Sequence, residues 1–307
     1  MKSNVQKIVY MGTPLYAQII LQTLIDAIDM DISLVLTQPD RPVGRKRVLT
    51  PPLVKVLALE HDIPLLQPQK LSDAGIYEAI RDAKPDFIIV AAFGQLLPQS
   101  ILDIAPCINL HASLLPQYRG ASPVQQSLLN GDTYSGVTSM WMEAGLDSGP
   151  ILGYNYFKIP QDMRLQALMN QLSLDACELT LDTIRNFHTL QPLPQTKATA
   201  THCKKIRKED GEISFDSAVD IYNKFRAYEG WPGVFTSNGL KLLQIDITDS
   251  STEYQRGEIL EITHTTIIVG CQKGSLAIER LQPKSKKAMD AKSYLLGKGL
   301  KVGNILV

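Results

Sequence analysis

Apolar and polar residues change rhythm along this chain, and the change divides it in two. In the first half, short apolar runs alternate with stretches of helical spacing. Residues 7–11 (KIVYM) read as a buried strand, 12–14 (GTP) as a turn, and 15–26 as a helix with apolar residues three and four apart. The pattern repeats as a strand over 32–37, a helix over 52–61 and a short strand over 64–67. A further helix, with Ser72 as its N-cap, runs to about Ala83. Residues 86–93 (DFIIVAAF) are the strongest strand signal, a continuous apolar run of the kind found where helices cover both faces of a sheet. Residues 108–112 are another strand. Such alternation predicts a mostly parallel, doubly wound α/β sheet. A short helix after Ser122, a strand pair over 137–142 and 151–159, and a long amphipathic helix over 164–187 complete this half.

Beyond a connector rich in Pro, Thr and Lys the rhythm shortens. One helix over 217–228 is followed by short strands over 240–247, 257–263, 266–270 and 275–281, separated by Gly and Asn turns. This pattern predicts a smaller β-barrel. The expected division is 1–188, a linker over 189–208, and 209–307.

Charge adds little to this. The formal net charge is zero, with 16 Lys and Arg against 13 Asp and Glu in residues 204–307, hence +3 there and −3 in the remainder. The C-terminal part is the half better suited to an anionic partner. The four cysteines sit far apart with no metal-ligand spacing, so neither zinc nor another metal is expected. The N-terminus lacks a signal-peptide apolar core, and no apolar run approaches the ~20 residues of a membrane span. A soluble cytoplasmic monomer is expected, with no membrane association.

The candidate chemistry lies in CINLHASLLPQYRGASP, residues 107–123. Strand side chains alternate, so Asn109 and His111 share a face at the C-terminal end of a parallel strand, where open α/β sheets bind ligands. A buried, satisfied histidine beside a turn-stabilising Asn is an equally good reading of the pair alone. Asp147, in the loop GLDSGP at the tip of a strand pair, would change that if it reaches His111. Asn109 and His111 could then donate hydrogen bonds to a carbonyl oxygen under attack, with Asp147 handling a proton. No GxSxG elbow, Walker A loop or GxGxxG turn occurs, so covalent serine chemistry and nucleotide cofactors are unsupported. Two basic segments stand out: Arg41, Arg45, Lys46 and Arg47 in QPDRPVGRKRVLTPP, and Lys284, Lys286 and Lys287 in LQPKSKKAM. Each alone reads as a solvated loop; both could meet phosphate.

Together these segments resemble the methionyl-tRNA formyltransferase family. INLHASLLPQYRGASPVQQSLLNGD resembles its formyl-donor signature, GLDSGPIL its aspartate loop, and TQPDRPVGRKRVLTPPLVKVLA its basic insert. FRAYEGWPGVFT and LQPKSKKAM resemble features of its C-terminal domain. The resemblance runs from about residue 7 to the end. It implies a Rossmann-like catalytic domain and an OB-like tRNA-binding domain. It implies formyl transfer from 10-formyltetrahydrofolate, a co-substrate, to the α-amino group of methionine on initiator methionyl-tRNA. It makes Asn109, His111 and Asp147 catalytic and sets Ser113, Leu114, Leu115 and Pro116 against the folate. Arg41, Arg45, Lys46, Arg47, Lys286 and Lys287 are set toward the tRNA. Formylation of a small amine, such as glycinamide ribonucleotide or an amino-sugar nucleotide, shares the donor signature but leaves the insert and second domain unexplained. A non-catalytic tRNA-binding module would have no use for the Asn/His/Asp set.

Overall fold

A computed structural model describes residues 5–44 and 46–307; Arg45 lies outside them. The chain divides into two compact units. The first comprises Met1–Pro123, Thr133–Ile159 and Ala167–Lys204; the second comprises Val124–Asp132, Pro160–Gln166 and Lys205–Val307.

The elements of the first half run β1 (Gln6–Gly12), α1 (Leu15–Asp26), β2 (Met30–Leu36), β3 (Arg41–Val43), β4 (Val48–Thr50), α2 (Leu53–Glu60) and β5 (Leu65–Leu66). They continue α3 (Ile76–Asp82), β6 (Phe87–Ala91), α4 (Gln99–Leu102), β7 (Cys107–His111), β8 (Arg119–Gly120), α5 (Pro123–Leu129), β9 (Tyr134–Trp141), β10 (Ile151–Lys158), α6 (Leu165–Asn186) and β11 (His202–Cys203). Seven strands form one sheet in the order β10-β9-β7-β6-β1-β2-β5. The pairs among β7, β6, β1, β2 and β5 are parallel, and β9 and β10 add antiparallel strands at one edge. This is the doubly wound, mostly parallel sheet that the alternating pattern requires.

Strand periodicity explains how both faces are covered. Val9, Met11, Leu34, Leu36, Ile88, Val90 and Cys107 pack in one layer with Ile76 and Ile80 of α3 and Ile101 of α4. The intervening residues face the other way, toward α1 and α6. Tyr10 donates its hydroxyl to the Ala17 carbonyl of α1, and Thr183 of α6 bonds Ser139 of β9. The strand order reverses between β1 and β6, so a crevice opens at the C-terminal ends of those two strands.

Two local expectations are corrected. Ser72 does not cap α3: a turn over 70–75 intervenes, and the N-cap is Gly75 in the left-handed region (φ 81°). The basic insert is a two-stranded hairpin, not an irregular loop, pairing Arg41 with Thr50 and Val43 with Val48. Val43, Val48 and Leu49 are good strand formers, and the Pro, Gly and charged residues between them masked that propensity.

In the second unit, β12 (Glu212–Ile213), α7 (Ala218–Ala227), β13 (Val234–Thr236), β14 (Lys241–Asp249), β15 (Ile259–Ile262), β16 (Ile267–Gly270), β17 (Ser275–Gln282), β18 (Met289–Asp290) and α8 (Ala291–Lys298) follow in turn. Their sheet has the order β12-β13-β14-β17-β16-β15, with β18 beside β17. It encloses a core of Ile213, Leu242, Ile245, Val269, Leu276 and Ile278, closed by Ile221 of α7 and Leu295 of α8. Ser217 caps α7, accepting the Asp220 backbone N–H at 3.2 Å. No helix among the described residues is long and apolar enough to cross a membrane.

Candidate active site

The site begins with β7. Cys107 lies in the apolar layer beneath α3 and α4, and Asn109 and His111 follow it on the same face where that layer ends. Both are nearly buried, at 9% and 6% exposure. A small apolar cluster of Leu115, Met140 and Ile151 fills the space beside them. Tyr16 of α1 fixes the strand from its other side by donating to the Leu110 carbonyl.

Asp147 meets this pair. Its Oδ1 accepts from Asn109 Nδ2 at 3.3 Å, and its Oδ2 lies 3.7 Å from His111 Nδ1. Oδ2 also accepts the Gly120 backbone N–H at 2.8 Å. Asp147 itself adopts a left-handed conformation (φ 48°), which Asp tolerates better than most side chains. Gly149 lets the loop close: a Cβ there would collide with the Trp141 carbonyl. Gly120 is equally constrained, with φ 119° and the Cys203 carbonyl where a Cβ would sit.

The tautomer of His111 follows from its partners. Nε2 lies 2.9 Å from the Tyr118 carbonyl oxygen, which can only accept, so Nε2 carries hydrogen. Nδ1 is therefore the ring atom that faces Asp147. Sequence periodicity placed the imidazole here but could not say which nitrogen was committed.

The turn after β7 is braced from both sides. Thr138 of β9 donates to the Ser113 carbonyl at 2.6 Å and accepts the Leu115 N–H at 3.0 Å. Ser113 donates to the Gln117 carbonyl, and Tyr154 of β10 donates to the Leu115 carbonyl. Leu115–Pro116 is a cis peptide. Residues 113–116 thus form a preset turn beside the Asn/His/Asp cluster.

The connector is built into this site as well. His202 and Cys203 pair in parallel with Arg119 and Gly120, and Leu193 pairs with Ile151. Thr201 accepts the Tyr118 N–H on its hydroxyl, and Ser122 donates to the Lys204 carbonyl. Gln195 bonds both the Asp147 loop and Arg119. None of this was visible in a stretch whose composition reads as linker.

A cavity of about 550 Å³ opens where the strand order reverses, lined by Thr13, Gln38, Arg41, Val43, Leu53 and Phe93 among others. Thr13 and Phe93 place it just past the ends of β1 and β6, and β6 stands between β1 and β7, with Val90 paired to Met11 on one side and to Asn109 on the other. Of the basic insert, Arg41 reaches this cavity and donates to Gln38 at 2.9 Å, whereas Lys46 and Arg47 are exposed near the hairpin tip. Asp40 anchors the hairpin base. It accepts from Lys55 and Gln67, and these hydrogen bonds, Gln67 first, hold its carboxyl below the usual range. Lys286 and Lys287 are exposed in the second unit, on the turn between β17 and β18. Among the described residues no three His, Cys, Asp or Glu side chains gather as a metal would require.

Comparison with known proteins gives the family. Residues 6–184 match the formyl transferase family model, and residues 205–299 match the formyl transferase C-terminal domain. The methionyl-tRNA formyltransferase of a Sulfurovum species is 65% identical over 98% of this chain and 99% of its own length. That of a Nitratiruptor species is 51% identical over 97% of this chain and 99% of its own. HypX from Aquifex aeolicus in complex with tetrahydrofolic acid shares the fold, with a TM-score of 0.60 at 16% identity over 98% of this chain and 49% of its own. On the strength of both family models and of these near full-length relatives, the chain belongs to the methionyl-tRNA formyltransferase family.

Proposed function

We propose that this protein transfers the formyl group of 10-formyltetrahydrofolate to the α-amino group of methionine on initiator methionyl-tRNA, in the cytoplasm, ahead of translation initiation. The observation that carries this reading is the meeting of three side chains, Asn109, His111 and Asp147, around one point at the C-terminal edge of β7.

In the reaction the neutral amine attacks the formyl carbon. As the carbonyl π-bond gives way, its oxygen gains charge and needs donors already in place. Asn109 Nδ2 supplies one. His111, with its imidazole charged and a hydrogen on both ring nitrogens, supplies the other from Nδ1, because its Nε2 hydrogen is committed to the Tyr118 carbonyl. Losing one such donor costs ~3–4 kcal/mol of barrier, or ~10²–10³ in rate. Asp147 takes the proton that the new C–N bond makes acidic, directly or through water. The carbon–N10 bond then breaks, and that proton ends on the departing nitrogen.

The remaining parts take supporting roles in this reading. The braced turn of Ser113, Leu114, Leu115 and Pro116 supports the folate. The cavity, lined by Val43, Leu53 and Phe93, suits an apolar aminoacyl side chain, and Arg41 suits a phosphate at its rim. Lys46 and Arg47 extend that basic surface, and the family resemblance sets Arg45 toward the tRNA as well. Residues 1–188 carry the catalysis, 189–208 connect, and 209–307 bind tRNA with Lys286 and Lys287.

The test is a labelled formyl donor offered to charged initiator tRNA, to glycinamide ribonucleotide and to an amino-sugar nucleotide. Label should appear on the methionyl-tRNA. Label on a small amine alone, or on nothing, would overturn the reading.

A further inference from the structure

Asp147 sits in a loop that should be soft. Leu146 is half exposed, Gly145 has φ 139°, and Asp147 itself occupies a left-handed conformation. Yet its carboxylate must lie between two side chains within a few tenths of an ångström. Something has to hold the loop, and the bond from Gly120 acts on the side chain alone.

The backbone is held by Gln195. Its Nε2 donates to the Asp147 carbonyl at 2.9 Å and to the Gly149 carbonyl at 2.7 Å. Its Oε1 accepts from Arg119 Nε at 3.0 Å and from Arg119 Nη2 at 2.6 Å. Arg119 is 8% exposed and belongs to β8, the strand whose next residue, Gly120, donates to the Asp147 carboxylate. One amide therefore ties the loop carrying Asp147 to the turn carrying its backbone donor. Both ends are chemically matched: two N–H bonds meet two carbonyls, and one oxygen meets a guanidinium. Only an amide satisfies both ends, since a carboxylate would turn an oxygen toward carbonyl oxygens and an apolar chain would serve neither. Leu193 before it and the β11 strand after it are hydrogen-bonded to the same unit, so Gln195 is anchored on either side.

We propose that Gln195 is a positioning residue for Asp147, acting through the loop backbone and never touching the reactants. The proposal rests on the formyl-transfer reading for its kinetic consequence, but its structural consequence stands apart from it. Misplacing a reacting group by about 1 Å can cost ~10²-fold in rate.

The test combines hydrogen exchange with a double-mutant cycle on the full chain. Gln195→Ala should speed amide exchange at residues 118–122 and 145–149 while leaving the strands of the second unit unchanged, which shows that the fold is intact. It should lower kcat for formyl transfer by ~10–10²-fold with the donor KM unchanged within about twofold. In an Asp147→Ala background, removing Gln195 should cost less than about twofold more, because the group it positions is gone. Gln195→Glu should behave as the Ala variant does, although it keeps an acceptor for Arg119. Unchanged exchange at 145–149, fully additive losses, or normal turnover by Gln195→Glu would each overturn the proposal. Faster exchange in Gln195→Ala alongside a wild-type protein that formylates nothing would support the strap and sink the reaction instead.

Discussion

His111 has two ring nitrogens and two neighbours, and the division between them sets what it can do. Nε2 donates its hydrogen to the Tyr118 backbone carbonyl, so Nδ1 is the ring nitrogen on the side of Asp147. The pairing of Asn109 with His111 was legible in the sequence because period-two alternation forces both to one face. The approach of Asp147 was not legible, since no local rule joins residues 38 positions apart. The cysteines make the contrasting case. Cys107 and Cys271 are buried, and burial pushes their thiols up to about 12. Cys177 and Cys203 are raised for the same first reason. A raised thiol stays protonated at pH 8, and the thiolate is the reactive form. Ellman's reagent should therefore label the native protein far more slowly than a free thiol and should titrate all four cysteines in guanidinium. Rapid labelling of any one in the native state would show that its surroundings are more open than the fold indicates.

Elements place these residues with errors that propensity explains. The strands that build the first sheet were found by apolar runs, yet the start of α3 slipped because Ser72 looks like a cap while the turn over 70–75 delays the helix. The β3–β4 hairpin was hidden by its charged and Pro-containing composition. The short strand β11 was hidden because two residues give no periodicity at all. Thr138 illustrates an element-scale role that no motif announces. Its buried hydroxyl joins β9 to the turn after β7, satisfying the Ser113 carbonyl and the Leu115 N–H. Thr138→Val keeps the shape and strands both groups, which should cost ~1–3 kcal/mol in urea unfolding. A loss within about 0.5 kcal/mol, the range of ordinary surface substitutions, would mean that the turn does not depend on this bond.

At the scale of the molecule, the sequence reads as a sheet domain followed by a smaller β domain. Residues 124–132 and 160–166 group with the second unit. Asn223 of α7 donates to the Leu129 carbonyl of α5, and Arg226 to the Met163 carbonyl. Such bonds join segments distant in sequence and leave no trace in composition. The basic groups are spread over both units, so charge in each can be tested separately. Replacing Lys46 and Arg47 with Ala should flatten the slope of log affinity for tRNA against log salt by ~1 for each phosphate that is no longer neutralised, as should replacing Lys286 and Lys287. An unchanged slope after either pair would assign those side chains to solvent alone.

The claim beneath all of this is that Asn109, His111 and Asp147 act on one carbonyl carbon. Single-turnover formylation, with enzyme in excess over methionyl-tRNA and donor saturating, measures that step free of product release. Asn109→Ala, His111→Ala and Asp147→Ala should each slow it by at least ~10² while tRNA affinity changes little. Turnover near the wild-type rate in any one of the three would contradict it.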